Sequence, residues 1–277
     1  MAYKNFIPTV WATAIERDLN KRLVYGEDCN RKYEGNVKEM GDSVRILGVG
    51  KPTITTQEGG EIVLPGAEKV ADTSVTMVIN HVSYFDFLVD DIDARQAAGD
   101  VMDALNAESS EGLADEMDKH IASMMSSDVA PKLEKETIQL TKDNVLNYID
   151  AGLTKLYENN VRPEGKIVMH LPPWLHMLVK QAYLGLDTNN SSMMRNGRVF
   201  QYGNVEMKMT NNVAKKGQVW YPDIRTERAQ AFVNPMTHVE PYRPEKRFSD
   251  AVKGFVLYEA KIVRPKELIV LPCQPQG

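Results

Sequence analysis

The stretch from Gly48 to Asp72 limits what this chain can fold into more than any other part of the sequence. It has few large apolar residues and many turn formers, namely Gly48, Gly50, Pro52, Gly59, Gly60, Pro65 and Gly66. On either side the sequence alternates as β-strands do, with Val44 and Ile46 before it and Val75, Met77 and Ile79 after it. Because such a stretch cannot bury a core of its own, we predict a long hairpin that projects from the body and rests on a partner.

A helix is predicted near the start of the chain, capped by Thr9 and ended by Gly26. Its apolar residues recur at every fourth position and form one narrow stripe: Trp11, Ile15, Leu19 and Leu23. An isolated helix of about 16 residues is only marginally stable in water. We therefore expect the stripe to dock on something, either the body of the same chain or a neighbouring subunit.

A much longer helix is predicted after the hairpin, from Asp90 to about Met125. Asp90, Asp91 and Asp93 would place negative charge at the positive end of its dipole. Apolar residues again lie four positions apart: Val101 with Leu105, then Leu113, Met117 and Ile121. At 1.5 Å per residue the helix would be roughly 50 Å long, which predicts a spine rather than an ordinary globular helix.

The remaining sequence predicts a mixture of helices and strands. Thr141 is expected to cap a helix with one apolar face, made of Val145, Ile149, Leu153 and Leu156. A strand over 166–171, a short helix over 174–183 and a hairpin around Gly203 follow, and the last third is rich in strands. The fold class predicted is α+β.

The composition argues against several classes of protein. The 277 residues include 33 basic and 38 acidic ones, a net charge of -5, which argues against a protein whose main task is to neutralise phosphates. Cys29 and Cys273 lie near opposite ends and fit no disulfide framework, so we predict two buried or idle thiols. Neither a signal peptide nor an apolar run of about 18 residues is found, and a soluble, cytoplasmic protein is expected.

The sequence contains no complete motif for catalysis, cofactor binding or metal binding. The segment Gly48-Val49-Gly50-Lys51-Pro52-Thr53 has only part of a phosphate-binding loop, since Arg45 stands where that motif needs glycine and Pro52 where it needs a hydroxyl. His81, His120, His170 and His176 include no pair at the i, i+4 spacing of a helical zinc site. No Gly-x-Ser-x-Gly elbow or thiol-nucleophile signature occurs. We therefore predict no catalytic residue, no cofactor and no metal.

Six groups of segments carry a resemblance through their order and spacing. They are Asn5-Phe6-Ile7-Pro8 with Trp11, Asn30-Arg31-Lys32-Tyr33-Glu34-Gly35, Gly41-Asp42-Ser43-Val44-Arg45-Ile46, Tyr84-Phe85-Asp86-Phe87 running into Asp90-Asp91-Ile92-Asp93 with Gln96, Gly203 to Val205 with Thr210-Asn211-Asn212-Val213, and Phe248 to Ala260 with Arg264-Pro265. Together they resemble the Hong Kong 97-type major capsid proteins of tailed bacteriophages. The resemblance covers nearly the whole chain. Each segment is degenerate by itself, so the specificity lies in the set.

The resemblance implies a division of the chain. Residues 1–34 would form an N-terminal arm, 35–89 the extended loop, 90–132 with 236–277 the peripheral domain with its spine helix, and 133–235 the axial domain. Assembly contacts are expected at Trp11, Ile15, Leu19, Leu23, Gly59 and Gly60.

The resemblance also implies a structural, non-enzymatic function and a set of partners. The chain would form the icosahedral head shell around double-stranded DNA, which it would touch only weakly and non-specifically. Copies of the chain would make hexameric and pentameric capsomers, assembled in the bacterial host cytoplasm. A separate scaffolding protein, a portal and possible decoration proteins would complete the shell.

Two other functions remain open on the sequence. An encapsulin-like protein compartment would use the same fold to enclose an enzyme. A hydrolase or oxidoreductase with an unrecognised site is the alternative from a different class.

Overall fold

The structure, a computed structural model, describes most of the chain but not all of it. The described residues are 23–33, 40–49, 54, 56, 58, 59, 72–90, 101–184, 194, 195, 198, 199, 201–245 and 249–275. The predicted N-terminal helix over 9–26 lies almost wholly outside these residues. So does most of the segment that joins the two strands of the predicted hairpin.

Helices and strands are mixed, as predicted. The α-helices of the described ranges are α1 (Val101–Ser123), α2 (Val145–Glu158) and α3 (Pro173–Leu184). The strands are β1 (Ser43–Val49), β2 (Asp72–Val78), β3 (His81–Asp90), β4 (Ile138–Leu140), β5 (Ile167–Leu171), β6 (Met194–Arg195), β7 (Arg198–Val199), β8 (Gln201–Tyr202), β9 (Val205–Met209), β10 (Lys215–Lys216), β11 (Val219–Trp220), β12 (Asp223–Thr226), β13 (Gln230–Tyr242), β14 (Ser249–Ile262), β15 (Leu268–Val270) and β16 (Cys273–Pro275).

A five-stranded mixed sheet lies at the centre of the larger core. Its strand order is β15-β12-β5-β9-β8, and β5 and β9 are parallel. Every residue of β5 is buried, as expected for a strand covered on both faces. Helices α2 and α3 contribute the apolar side chains on one side, among them Ile149, Leu153, Leu175 and Val179. Strands β10, β11, β16 and β4 form a second sheet beside it.

A three-stranded antiparallel sheet, β13-β14-β3, packs against α1. The helix buries Leu113, Met117 and Ile121, which are the residues that the four-residue spacing picked out. At the middle of β14, Gly254 has the ring of Phe85 directly over it, and an added Cβ would lie 2.6 Å from that ring. Glycine is required here because the aromatic ring occupies the space of a side chain.

Strands β1 and β2 form the antiparallel base of the predicted hairpin, paired from Ser43↔Val78 to Val49↔Asp72. Their inward residues, Val44, Ile46 and Met77, pack with Ala231, Val233 and Leu257 of the three-stranded sheet. The predicted strands and their inward faces are therefore confirmed up to Val49 and Asp72.

Two local predictions were wrong. Asp90 does not begin a helix, since it ends β3 and pairs with Ser249, and α1 is described only from Val101. Thr141 is not the cap of α2: the helix begins after Asn144, whose side-chain oxygen accepts the Thr141 N–H at 2.8 Å. In both cases the backbone of a residue type favoured at helix starts is used differently: Asp90 pairs in a sheet, and the Thr141 N–H is bonded to a side chain. The strand over 166–171, the helix over 174–183 and the hairpin at Gly203 are confirmed within two residues.

Three strands pair with strands that the sequence assigned to a different predicted domain. Strands β15 and β16 belong by number to the range 236–277, but β15 pairs with β12 and β16 pairs with β11 and β4. Strand β3 belongs to the range 35–89 and pairs with β14.

Candidate assembly site at the root of the N-terminal segment

Residues 23–30 are called the root segment. They pack against the body of the chain directly after residues 1–22. Leu23, Tyr25 and Cys29 are buried in one apolar cluster with Met117 of α1 and Phe232 of β13. Asn30 continues the contact through the backbone: its N–H donates to the carbonyl of Gln230 at 2.9 Å, and its carbonyl accepts the N–H of Phe232 at 3.1 Å. The segment is thus packed and hydrogen-bonded to two elements at once.

Helix α1 holds the start of the root segment through one carboxylate. Asp118 accepts hydrogen bonds from the backbone N–H groups of Val24 at 2.7 Å, Tyr25 at 3.0 Å and Gly26 at 3.1 Å. Burial raises the pKa of Asp118 above its ordinary value, although the three N–H donors oppose that effect. A carboxylate that receives three consecutive backbone donors fixes both the position and the direction of the chain there.

Charged side chains on three adjacent strands of the five-stranded sheet lie next to the root segment. Lys208 on β9, His170 on β5 and Asp223 on β12 are register partners on adjacent strands. Because alternate strand residues share a face, Arg225 lies on the same side as Asp223. The opposite side of these strands carries the apolar residues Met169, Met207 and Ile224 of the larger core.

Asp28 of the root segment inserts into this charged row and is almost fully buried. Its carboxylate lies 2.8 Å from the Lys166 ammonium, 2.8 Å from the Lys208 ammonium and 3.3 Å from His170 Nε2. Burial disfavours the charged carboxylate, but hydrogen bonds from His170 and the two lysines outweigh it and hold the pKa of Asp28 well below its usual range. The buried negative charge is therefore balanced by three neighbouring donors.

His170 and Arg225 complete the cluster beneath Tyr25. The imidazole lies 3.2 Å from Asp223 and stacks on the Tyr25 ring with centroids 4.0 Å apart. Arg225 is fully buried, lies 3.0 Å from Asp223 and donates to the Tyr25 carbonyl at 3.1 Å. Burial disfavours the imidazolium, but the attraction of Asp223 and the hydrogen bonds to Asp223 and Asp28 outweigh it and raise the pKa of His170.

This root cluster, made of Asp28, Lys166, His170, Lys208, Asp223 and Arg225, is an anchor rather than a reaction centre. The imidazole is fully buried with a carboxylate at each nitrogen, so its nitrogens face protein groups rather than an open cleft. The nearest thiol, Cys29, has its pKa raised by burial, which keeps it protonated. Both cysteines are buried and free, as predicted.

The base of the hairpin is also fixed to the body. The Lys261 ammonium of β14 donates to the carbonyl of Thr76 at 2.6 Å. Within the hairpin, the N–H of Ile79 donates to the carbonyl of Asp42 at 3.0 Å and closes its base. Gly59 in the connecting segment is exposed and has a φ of 73°, a left-handed conformation that glycine adopts without strain. Both segments that were predicted to reach outward therefore leave from anchored positions.

The six predicted assembly residues fall into two groups. Leu23 is buried against its own chain, and Gly59 is exposed. Trp11, Ile15, Leu19 and Gly60 lie outside the described residues, so these contacts remain predictions. Sequence reasoning missed the root cluster because its members are far apart, with His170 separated from Asp28 by 142 positions and from Asp223 by 53. The only local signal is a strand with polar residues at alternate positions, which is also the pattern of a solvent-facing strand.

No protein-family model matches the chain, and no curated protein sequence matches it. None of the helices in the described ranges has the length and the apolar character needed to cross a membrane.

Solved structures match the chain over most of its length. A structure of Mycobacterium phage Che8 matches with a TM-score of 0.73 and 26% sequence identity, over 90% of this chain and 90% of that one. The capsid of the cyanophage P-SCSP1u matches with a TM-score of 0.68 and 12% identity, over 87% and 85%. A virus-like particle from Pyrococcus furiosus matches with a TM-score of 0.61 and 14% identity, over 97% and 99%. The chain has the fold of the major capsid proteins of tailed bacteriophages.

Proposed function

We propose that this protein is a structural major capsid subunit that self-assembles into an icosahedral shell around phage double-stranded DNA. The observation that carries the proposal is the likeness to the phage structures, which extends over 85–90% of both chains at TM-scores of 0.68 and 0.73. The absence of a catalytic motif in the sequence agrees with a structural role.

We assign the fold to the Hong Kong 97 type and retain the division made from the sequence, with one refinement. Residues 1–34 form the arm, 35–89 the extended loop, 90–132 with 236–277 the peripheral domain and 133–235 the axial domain. The refinement concerns β15 and β16, whose pairing with β12, β11 and β4 favours placing 268–275 with the axial domain.

The anchored roots support an assembly role for the two outward segments. A contact made by a segment that reaches over a neighbour is useful only if the segment leaves its own subunit at a fixed position and angle. The root segment is held by Asp118 and the root cluster, and the hairpin base is held by β14. We therefore place inter-subunit contacts at Trp11, Ile15, Leu19, Gly59 and Gly60.

The proposed partners follow from closed-shell geometry. Copies of the chain make hexameric and pentameric capsomers through head-to-tail contacts that close into rings. A separate scaffolding protein, a portal and decoration proteins are the further partners, in shells assembled in the host cytoplasm. With a net charge of -5, the subunit holds packaged DNA only by weak, non-specific contacts.

An encapsulin-like compartment is the second candidate, because the virus-like particle from Pyrococcus furiosus is also similar in fold. The TM-score of 0.61 for that particle is below the 0.73 and 0.68 of the two phage structures, so the phage capsid is preferred. Neighbouring genes decide between the two functions. Terminase, portal and tail genes indicate a phage, whereas a gene for a cargo enzyme indicates a compartment.

Electron microscopy and sedimentation of the purified protein test the proposal. Closed shells or ring-shaped capsomers are the expected result, and a protein that stays monomeric at high concentration contradicts it. A variant in which residues 51–67 are replaced by a short Gly/Ser connection should keep a folded body, because long surface segments contribute little to the stability of a domain.

The shortened variant should nevertheless fail to form shells, because the contact area laid over a neighbour is lost. In a second variant the same residues are replaced by Gly and Ser without a change in length. It tests whether assembly depends on the length of the segment or on its side chains. Normal shells from both variants would exclude an assembly role for the segment. A body that unfolds would show that the segment belongs to the core.

A further inference from the structure

Three potential metal-binding side chains meet where β3, α1 and β14 come together. His81 is the first residue of β3, His120 lies in the last turn of α1, and Glu259 lies near the end of β14. Glu259 bridges the two rings: one carboxylate oxygen lies 2.9 Å from His81 Nδ1, and the other lies 3.1 Å from His120 Nε2. The ring centroids of the two histidines are 3.9 Å apart.

Two of the three side chains are largely buried and the third is half exposed, so an ion bound to all three could also bind water from the solvent. The side chains of Glu259 and His120 are 11% and 16% exposed, whereas that of His81 is 48% exposed. Burial disfavours the charged carboxylate, but hydrogen bonds from His120 and His81 outweigh it and lower the pKa of Glu259.

The distances are close to those of a metal site. With metal–ligand bonds of about 2.1 Å and tetrahedral angles, the ligand atoms of a zinc site lie about 3.4 Å apart. The two histidine–carboxylate distances, 2.9 and 3.1 Å, end on different oxygens of Glu259, so each imidazole is close enough to the carboxylate to share an ion with it. All three ligand atoms lie within 4.8 Å of one another. Small side-chain rotations therefore suffice to surround an ion.

We propose that His81, His120 and Glu259 bind a divalent transition-metal ion, with Zn²⁺ as the expected ion and water in the remaining position. Two imidazoles and one carboxylate are a common catalytic and regulatory ligand set for such ions. In the metal-bound form the ring protons lie on His81 Nε2 and His120 Nδ1, because Nδ1 and Nε2 respectively carry the lone pairs that face the ion. No ring proton is lost from a neutral imidazole in this rearrangement.

The site departs from the expectation of no metal, and the reason is distance along the chain. Glu259 is separated from His120 by 139 positions and from His81 by 178, so no local spacing pattern contains it. An ion at this position would tie the strand that follows the hairpin to α1 and to β14. Binding would then stabilise the joint between the hairpin base and the body.

Isothermal titration of the purified protein with Zn²⁺ tests the proposal, using His81→Gln and His120→Gln as the disrupted variants. His238→Gln is the matched control, since His238 is an exposed histidine on the neighbouring strand β13. We expect one Zn²⁺ per chain for the parent protein and for His238→Gln, with the melting temperature raised by Zn²⁺. Affinity should fall at least tenfold in each disrupted variant. Equal affinity in all four proteins, or no binding by the parent protein, would overturn the proposal.

A second measurement does not depend on the folding of any variant. Cu²⁺ bound to the parent protein at one equivalent should give an electron paramagnetic resonance spectrum with coupling to two imidazole nitrogens. The other described histidines cannot supply that pair easily, because His170 and His176 are buried and His238 lies on another strand. A spectrum with one nitrogen or none would overturn the proposal even if the substitutions disturb the fold.

Discussion

Replacing Asp118 by alanine should release the root segment, and the size of the effect can be worked out from its contacts. The carboxylate accepts three backbone N–H groups, two of which belong to the buried residues Tyr25 and Gly26. Leaving a buried donor unsatisfied costs about 1–3 kcal/mol, so these two groups together cost about 2–6 kcal/mol. Relief of the buried charge offsets part of this, and we expect a loss of about 3 kcal/mol in the free energy of unfolding.

Asp115→Ala is the matched control, because Asp115 lies one turn earlier on α1 and its partners are the exposed Lys119 ammonium and the Asn212 side chain rather than the root segment. An exposed ion pair contributes about 0–1 kcal/mol. Urea unfolding of the unassembled subunit, followed by circular dichroism, measures both variants. Amide hydrogen exchange should show faster exchange at residues 24–26 in Asp118→Ala alone. Equal unfolding midpoints for the two variants, with unchanged exchange at those amides, would refute the reasoning.

Two further predictions concern a buried charge and two glycines. His170→Gln should cost about 3–5 kcal/mol near pH 5–6, and this loss should shrink as the pH rises through the raised pKa of His170, because the stabilisation from a raised pKa is fully present only below the unfolded value of about 6.5. Urea titrations of both proteins from pH 5 to 9 measure it, and a loss that grows with pH would contradict it. Gly254→Ala should cost about 1–3 kcal/mol, because its Cβ would meet the Phe85 ring at 2.6 Å. Gly112→Ala, in open space on α1, should instead stabilise by about 0.5–1 kcal/mol. Thermal unfolding compares the two glycine variants, and an unchanged or raised melting temperature for Gly254→Ala would show that the contact at Phe85 does not matter.

Local periodicity was enough to predict the elements whose two faces differ. Val44 and Ile46 in β1, and Leu113, Met117 and Ile121 in α1, are buried at the spacing that the sequence displays. One face of each element meets the core, so the pattern of apolar residues and the geometry of the element agree. Errors arose at element ends, as at Asp90, where the sequence alone does not distinguish a helix start from the end of a strand.

The root cluster and the His81–His120–Glu259 cluster could not be predicted in the same way. Each depends on strands and helices that come together only in the folded chain, and polar residues at alternate strand positions normally indicate a solvated face. The row of Lys208, His170 and Asp223 departs from that rule: His170 and Asp223 are buried and Lys208 is half-buried, because the root segment lies over them. Knowledge of the covering segment was needed before these side chains could be recognised as buried.

The partners of the root segment lie far along the chain, so they are synthesised long after it. The Tyr25 carbonyl receives its hydrogen bond from Arg225, 200 positions later in the chain. At ribosomal rates of about 5–20 residues per second, residue 25 is made about 10–40 s before that partner exists. Asp118 is made much earlier than Arg225, so the hydrogen bonds of the root segment to α1 can form first, whereas its docking into the root cluster cannot be completed until most of the subunit has been translated.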